Sequence, residues 1–91
     1  MKKSVRLVLT GSVQSMFFEQ FILENAKKSD VRGYLRKLEN GKLEIFLEGD
    51  ISKVDDVAAL CRRGTQHTQI RNVEEKVERF QDFKEFKVLK I

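Results

Sequence analysis

Gly11-Ser12-Val13-Gln14-Ser15-Met16-Phe17-Phe18-Glu19 is the stretch on which the fold turns. Before it, Val5, Leu7 and Leu9 alternate with Arg6, Val8 and Thr10, the period of a half-buried strand over about residues 4–11. After it, Phe18, Phe21, Ile22, Asn25 and Ala26 recur at the spacing of one helix face, over about residues 18–29. The nine residues are therefore a strand-to-helix junction. Such a junction aims the unsatisfied N–H groups of a first helical turn at one point, which makes it a natural seat for an anion.

The rest of the chain follows the same alternation of periods. Ser29-Asp30 stops the helix. Residues 31–39 read as a second strand, with Val31, Gly33, Leu35 and Lys37 on one face and Arg32, Tyr34 and Arg36 on the other. Asn40-Gly41 is a strong hairpin signal, because both residues tolerate the left-handed backbone of a tight turn. Leu43, Ile45 and Leu47 then alternate with Glu44, Phe46 and Glu48, giving a third strand antiparallel to the second. After Gly49-Asp50, Ser52 is the expected N-cap, with Asp55 completing a variant capping box. The helix it opens, over about residues 53–63, has Val54, Val57, Ala58 and Cys61 on one face. Arg62-Arg63 and Gly64 close it. A fourth strand is expected over about residues 68–79, and a short last strand around Phe83, Phe86 and Val88. The order β-α-β-β-α-β, with right-handed crossovers, predicts a ferredoxin-like α/β sandwich: a four-stranded antiparallel sheet with both helices on one face.

Composition narrows the function. The 91 residues, 41% hydrophobic and 35% charged, suit a single domain spanning 1–91. The net charge of +4 is spread among scattered lysines and arginines, as on a solvated surface. One cysteine precludes an intrachain disulfide framework and fits a reducing compartment. There is no apolar run long enough to span a membrane and no signal-peptide core, so the expected location is the cytoplasm. Cys61 and His67 have no metal-ligand spacing between them, and neither a metal nor a cofactor is expected. Cys61 reads as a buried inert thiol, His67 as a loop residue and Asp55-Asp56 as solvated carboxylates. The outer sheet face would carry Arg6, Val8, Arg32, Tyr34, Arg36 and Phe46, a mixture of rings and arginines on which bases can stack. Glu44 and Glu48 flank Phe46 and would repel phosphates, so nucleic acid is the third choice of partner.

Gly11-x-Val13-Gln14-x-x-x-Phe18 resembles the signature of the acylphosphatase family. Family members read glycine, any, valine, glutamine, glycine, any, glycine, phenylalanine, arginine there. Ala26 followed by Val31-x-Gly33-Tyr34-Leu35-Arg36 is similar to the family's second-strand motif, which normally ends in asparagine. Asn40-Gly41-x-Leu43-Glu44 is similar to its hairpin, and Gly49, Gly64, Ile70 and Val73 fall at its spacings. The resemblance covers nearly the whole chain. It implies a small metal-independent hydrolase of the carboxyl-phosphate bond of acyl phosphates. In that family the loop backbone and an arginine hold the phosphate, and an asparagine orients the attacking water. A related domain begins the large hydrogenase-maturation carbamoyltransferase.

The sequence departs from that pattern where the chemistry would lie. Aligned on the motifs, Glu19 takes the arginine position and Lys37 the asparagine position. Ser15 and Phe17 take the two loop glycines. A unit charge of the wrong sign at 4 Å costs about 4 kcal/mol at an effective dielectric of 20, so Glu19 opposes phosphate binding by several orders of magnitude. An ammonium has no acceptor and does not orient a water as an amide does. Phe17 places a side chain where close backbone approach needs none.

The expected function is therefore a pseudoenzyme: an acylphosphatase-like protein without catalytic residues. It acts as a small binding domain through the anion-loop positions Val13, Gln14, Ser15, Met16, Phe17 and Phe18. The alternative is an atypical acylphosphatase in which another cation such as Lys37 does the arginine's work. The expected partner is a protein or a small anionic ligand, and the expected state is a monomer. Lys37 shares the inner sheet face with Leu35, and Glu19 lies at a helix start, where the dipole favours a carboxylate. The resemblance implies that Lys37 lies near the start of that helix, so the two are expected to pair and seal the former anion seat.

Overall fold

A computed structural model describes residues 1–89. Strand β1 (Lys2–Ser12) leads into helix α1 (Met16–Lys28), then β2 (Arg32–Lys37), a 3-10 turn at Glu39–Gly41, and β3 (Leu43–Asp50). Helix α2 (Ile51–Arg63), β4 (Gln69–Val77) and β5 (Phe86–Leu89) complete the chain. The sheet order is β4-β1-β3-β2-β5. Its first four members are mutually antiparallel, which is the ferredoxin-like sandwich expected.

The fifth strand is a correction to the four-stranded expectation. β5 runs parallel to β2, with Gly33 opposite Phe86 and Leu35 opposite Val88. Phe86 is buried beside the core residues of β2, and this burial fixes a register that four residues of alternation leave open in the sequence. The added strand also pairs the β2 edge, which a four-stranded sheet would leave unpaired.

Both helix starts differ from the sequence reading. α1 begins at Met16, two residues earlier than its apolar stripe, because Ser15 supplies a cap. α2 begins at Ile51, and Asp50, not Ser52, occupies the cap position. The Ser52 hydroxyl donates to the Asp50 carboxylate at 2.7 Å and makes no capping-box contact. The hairpin is as expected: Asn40 and Gly41 have φ of 68° and 77°, and Leu38 N–H closes on Lys42 O.

One face of the sheet carries Val5, Leu7, Leu9, Leu35, Leu43, Ile45 and Leu47 against Phe18, Ile22 and Ala26 of α1 and Val54, Val57, Ala58 and Cys61 of α2. Cross-strand partners at Leu7 and Ile45, and at Ile45 and Leu35, set this register. Two glycines are demanded by close approach. A Cβ on Gly33 would lie 1.9 Å from Phe46 O, and one on Gly11 2.1 Å from Gln69 O. Gly11 sits at the irregularity where β1 shifts register against β4, with φ of 140°. That bend turns the chain out of the sheet and into the junction.

Candidate functional site

The junction is held between the sheet and the β2–β3 hairpin. Val13 is fully buried and anchors it from below. Gln14 reaches sideways: its Nε2 donates to Leu38 O at 3.0 Å and to Lys42 O at 2.8 Å. One side-chain amide thus ties the loop before α1 to both ends of the hairpin turn. This fixes the end of β2, and with it Lys37, relative to the start of α1.

Ser15 then does what the sequence reading did not assign to it. Its Oγ accepts from Phe17 N–H at 3.1 Å and Phe18 N–H at 3.4 Å, while its carbonyl accepts from Glu19 N–H at 3.0 Å. The Phe17 and Phe18 N–H groups are donors a helix N-terminus would present to an anion, and both are already taken, while the Glu19 bond is the first i→i−4 bond of the helix itself. The signal was available: a serine just before an apolar-periodic run is an N-cap pattern even without a glutamate three residues on.

Phe17 lies inside α1 and has no left-handed backbone, so the loop does not wrap there as a glycine cradle would. Its ring projects outward, 77% exposed, as does Met16 at 81%. The Phe17 ring lies 6.2 Å from the exposed His67 imidazole. The helix face that packs inward is Phe18, Ile22 and Ala26, which leaves Phe17 on the solvent side.

Glu19 and Lys37 meet as the sequence predicted. Lys37 Nζ is 3.2 Å from Glu19 Oε2. The approach is off the line of a hydrogen bond, so the contact is Coulombic. The two sides are unequal: the Glu19 side chain is 14% exposed and that of Lys37 51%. The carboxylate sits inside the first turn of α1, and the ammonium covers it from the solvent side. Gln14, Ser15, Glu19 and Lys37 thus lie around the start of α1, with the Ser15 hydroxyl on two of its amides and the ammonium beside the carboxylate.

The remaining candidates fall elsewhere. Cys61 is buried on the inner face of α2, and burial pushes its thiol up to about 12, outside the range of a nucleophile. Among the described residues no group of three or more His, Cys, Asp or Glu could hold a metal ion, and no helix is long and apolar enough to cross a membrane. The outer sheet face differs from an open base-stacking platform. Phe46 is buried, stacked at 5.6 Å on Tyr34, and Phe83 closes edge-on over both rings. Arg6 and Arg36 converge on the buried Glu44 carboxylate at 2.6 and 2.5 Å. That contact raises the Arg6 guanidinium further above its ordinary value, and it takes both charges away from any phosphate.

The comparisons with known proteins agree on the framework. The family model described as Acylphosphatase matches residues 5–88. This chain belongs to the acylphosphatase family. Among curated acylphosphatases, that of Rubrobacter xylanophilus is 34% identical over 76 residues, covering 84% of this chain and 69% of its own. That of Methanocella arvoryzae is 31% identical over 72 residues, covering 79% and 82%. The crystal structure of the acylphosphatase from Bacillus subtilis superposes with a TM-score of 0.88 at 20% identity, covering 99% of this chain and all of that one. The last likeness establishes the acylphosphatase fold, including its ferredoxin-like core, independently of close sequence identity.

Proposed function

We propose that this acylphosphatase-family chain does not hydrolyse acyl phosphates and acts by binding through its altered junction. In this reading Glu19 stands at the position of the phosphate-holding arginine and Lys37 at that of the water-orienting asparagine. The observation that carries the proposal is the Glu19–Lys37 contact at 3.2 Å, which puts a carboxylate and its counter-ion where an anion would sit. The Ser15 cap supports it by occupying the Phe17 and Phe18 N–H groups. A substrate phosphate would have to displace the hydroxyl, face the carboxylate and compete for the ammonium at once.

The second reading is acyl-phosphate hydrolysis with Lys37 as the holding cation. The names of the relatives, curated acylphosphatases at 34% and 31% identity, favour it over the first reading. The two part on one assay. Hydrolysis of benzoyl phosphate by the purified chain is compared with buffer and with the variant Glu19→Arg/Lys37→Asn/Ser15→Gly/Phe17→Gly. A parent rate equal to buffer beside an active variant is the expected result. Parent turnover that Lys37→Met abolishes establishes the second reading instead.

A further inference from the structure

The outer face of the sheet is crossed by a segment that the family reaction does not call upon. β4 lies at one edge of the sheet and β5 at the other, so residues 78–85 must pass over β1, β3 and β2 to join them. Their fastenings are few. Glu78 N–H donates to Ser4 O at 2.8 Å as the segment leaves β4. In the middle, the Glu48 carboxylate accepts from Gln81 N–H at 2.6 Å, Phe83 N–H at 2.8 Å and Ser4 Oγ at 2.9 Å. The Phe83 ring packs edge-on against Phe46 and Tyr34, with centroids at 5.3 and 5.8 Å. Gly33 N–H meets Glu85 O at 3.1 Å, where the chain turns into β5.

Glu48 is 1% exposed and stands on a central strand, where a carboxylate needs a reason. Three donors give it one. All three come from the strap and from the strand beside it, so the carboxylate is stable only while the strap is down. The converse also holds. The amides of Gln81 and Phe83 have no strand partner and rely on this side chain. β5 beyond is joined along one side and by four residues, whereas β1 and β3 are laddered on both sides.

We propose that residues 78–85 and β5 are a strap that opens as one unit while the other four strands stay folded, and that Glu48 is its latch. Opening breaks the two amide hydrogen bonds from Gln81 and Phe83 to Glu48, the Phe83 ring contacts and a four-residue parallel pairing, and it withdraws Phe86 from the core. It leaves intact the ladders β4-β1-β3-β2 and both helices. It uncovers the stacked rings of Tyr34 and Phe46 beside the Arg6–Glu44–Arg36 row, and it frees the β2 edge. The aromatic sheet face is thus present in the molecule but closed.

Native-state hydrogen exchange of the full chain tests this residue by residue. In the parent, the amides of Gln81, Phe83 and Val88 are expected to exchange at least tenfold faster, relative to their intrinsic rates, than those of Leu7 and Ile45. Low urea is expected to accelerate the Leu7 and Ile45 amides with the steeper slope and the strap amides with a shallower one, in proportion to the surface each opening exposes. Val57→Ala, in α2 and away from the strap, is expected to lower protection at Leu7 and Ile45 while leaving Gln81 and Phe83 as they were. Glu48→Gln puts an amide donor against amide donors and is expected to raise strap opening by roughly ten- to a hundredfold, the loss of a hydrogen bond to a charged group. Equal protection in strap and central strands, falling together in Val57→Ala, overturns the proposal. So does a change at Gln81 and Phe83 below threefold in Glu48→Gln. If Glu48→Gln does not fold, the parent and Val57→Ala decide alone.

Discussion

Removing the Glu19–Lys37 pair one side at a time measures whether it holds the junction closed. With charges 3.2 Å apart, Coulomb's law at an effective dielectric of 20 sets a ceiling of about 5 kcal/mol. Lys37 is half exposed, so water screens most of that, while the carboxylate is largely buried. The net coupling is expected near 1 kcal/mol, the upper part of the range for exposed pairs. Glu19 also gains from the α1 dipole, by roughly 0.3–1 kcal/mol, whether or not Lys37 is present. A double-mutant cycle separates the two terms, since the dipole contribution cancels. The assay is urea unfolding of the parent, Glu19→Gln, Lys37→Met and the double variant, at low salt and at about 1 M salt, where the screening length is about 3 Å. The expected coupling falls by at least half in high salt. Additive single effects at low salt, within about 0.3 kcal/mol, would refute the pair as an energetic unit.

Three further outcomes follow from individual residues. Ser15→Ala removes the hydroxyl that caps Phe17 and Phe18 and is expected to cost about 1 kcal/mol, while Ser15→Gly costs a few tenths, both read as shifts in the urea midpoint. Gly33→Ala is expected to prevent folding at 25 °C, since its Cβ would meet Phe46 O at 1.9 Å with φ of 138°, and a native circular dichroism spectrum would contradict this. The single tyrosine, Tyr34, is expected to ionise above its ordinary value, because burial and then the Glu44 charge both oppose the phenolate. Its folded pKa is raised, so this contribution to stability is complete below the unfolded pKa and is lost as pH rises toward the folded one. Absorbance at alkaline pH reads the midpoint directly, and a midpoint at or below that of free tyrosine refutes the assignment.

Much of this molecule is written in its hydrophobic periods. The alternation at Val5, Leu7 and Leu9 and the stripe of Phe18, Ile22 and Ala26 each need one local pattern, and both lie in the core as read. Asn40-Gly41 set the hairpin and thereby the β2–β3 register. Lys37 could be placed opposite Glu19 because strand parity put it on the face of Leu35 and the family resemblance put that face near the helix start. What stayed hidden depended on contacts distant in sequence. β5 has too few residues to declare a partner, and burial of Phe86 beside Gly33 decides it. Glu48 read only as a carboxylate flanking Phe46 that repels phosphates, because nothing nearby in sequence reveals that Gln81 and Phe83 will point their amides at it. Ser52 misled for the opposite reason: a good local cap pattern lost to Asp50, which the end of β3 already held in an extended conformation at the helix start.

The proposed function rests on an anion seat that this acylphosphatase-family chain fills with its own side chains. It is tested most directly by titrating inorganic phosphate into the labelled protein and following the backbone amides of Ser15 to Glu19 by NMR. These amides are expected not to shift saturably up to about 10 mM phosphate, a bound equivalent to binding weaker than roughly 3 kcal/mol. They are expected to do so in the Glu19→Arg variant carrying Ser15→Gly and Phe17→Gly. Saturable shifts confined to these amides in the parent, at sub-millimolar phosphate, would contradict it and would return the junction to service as a phosphate site.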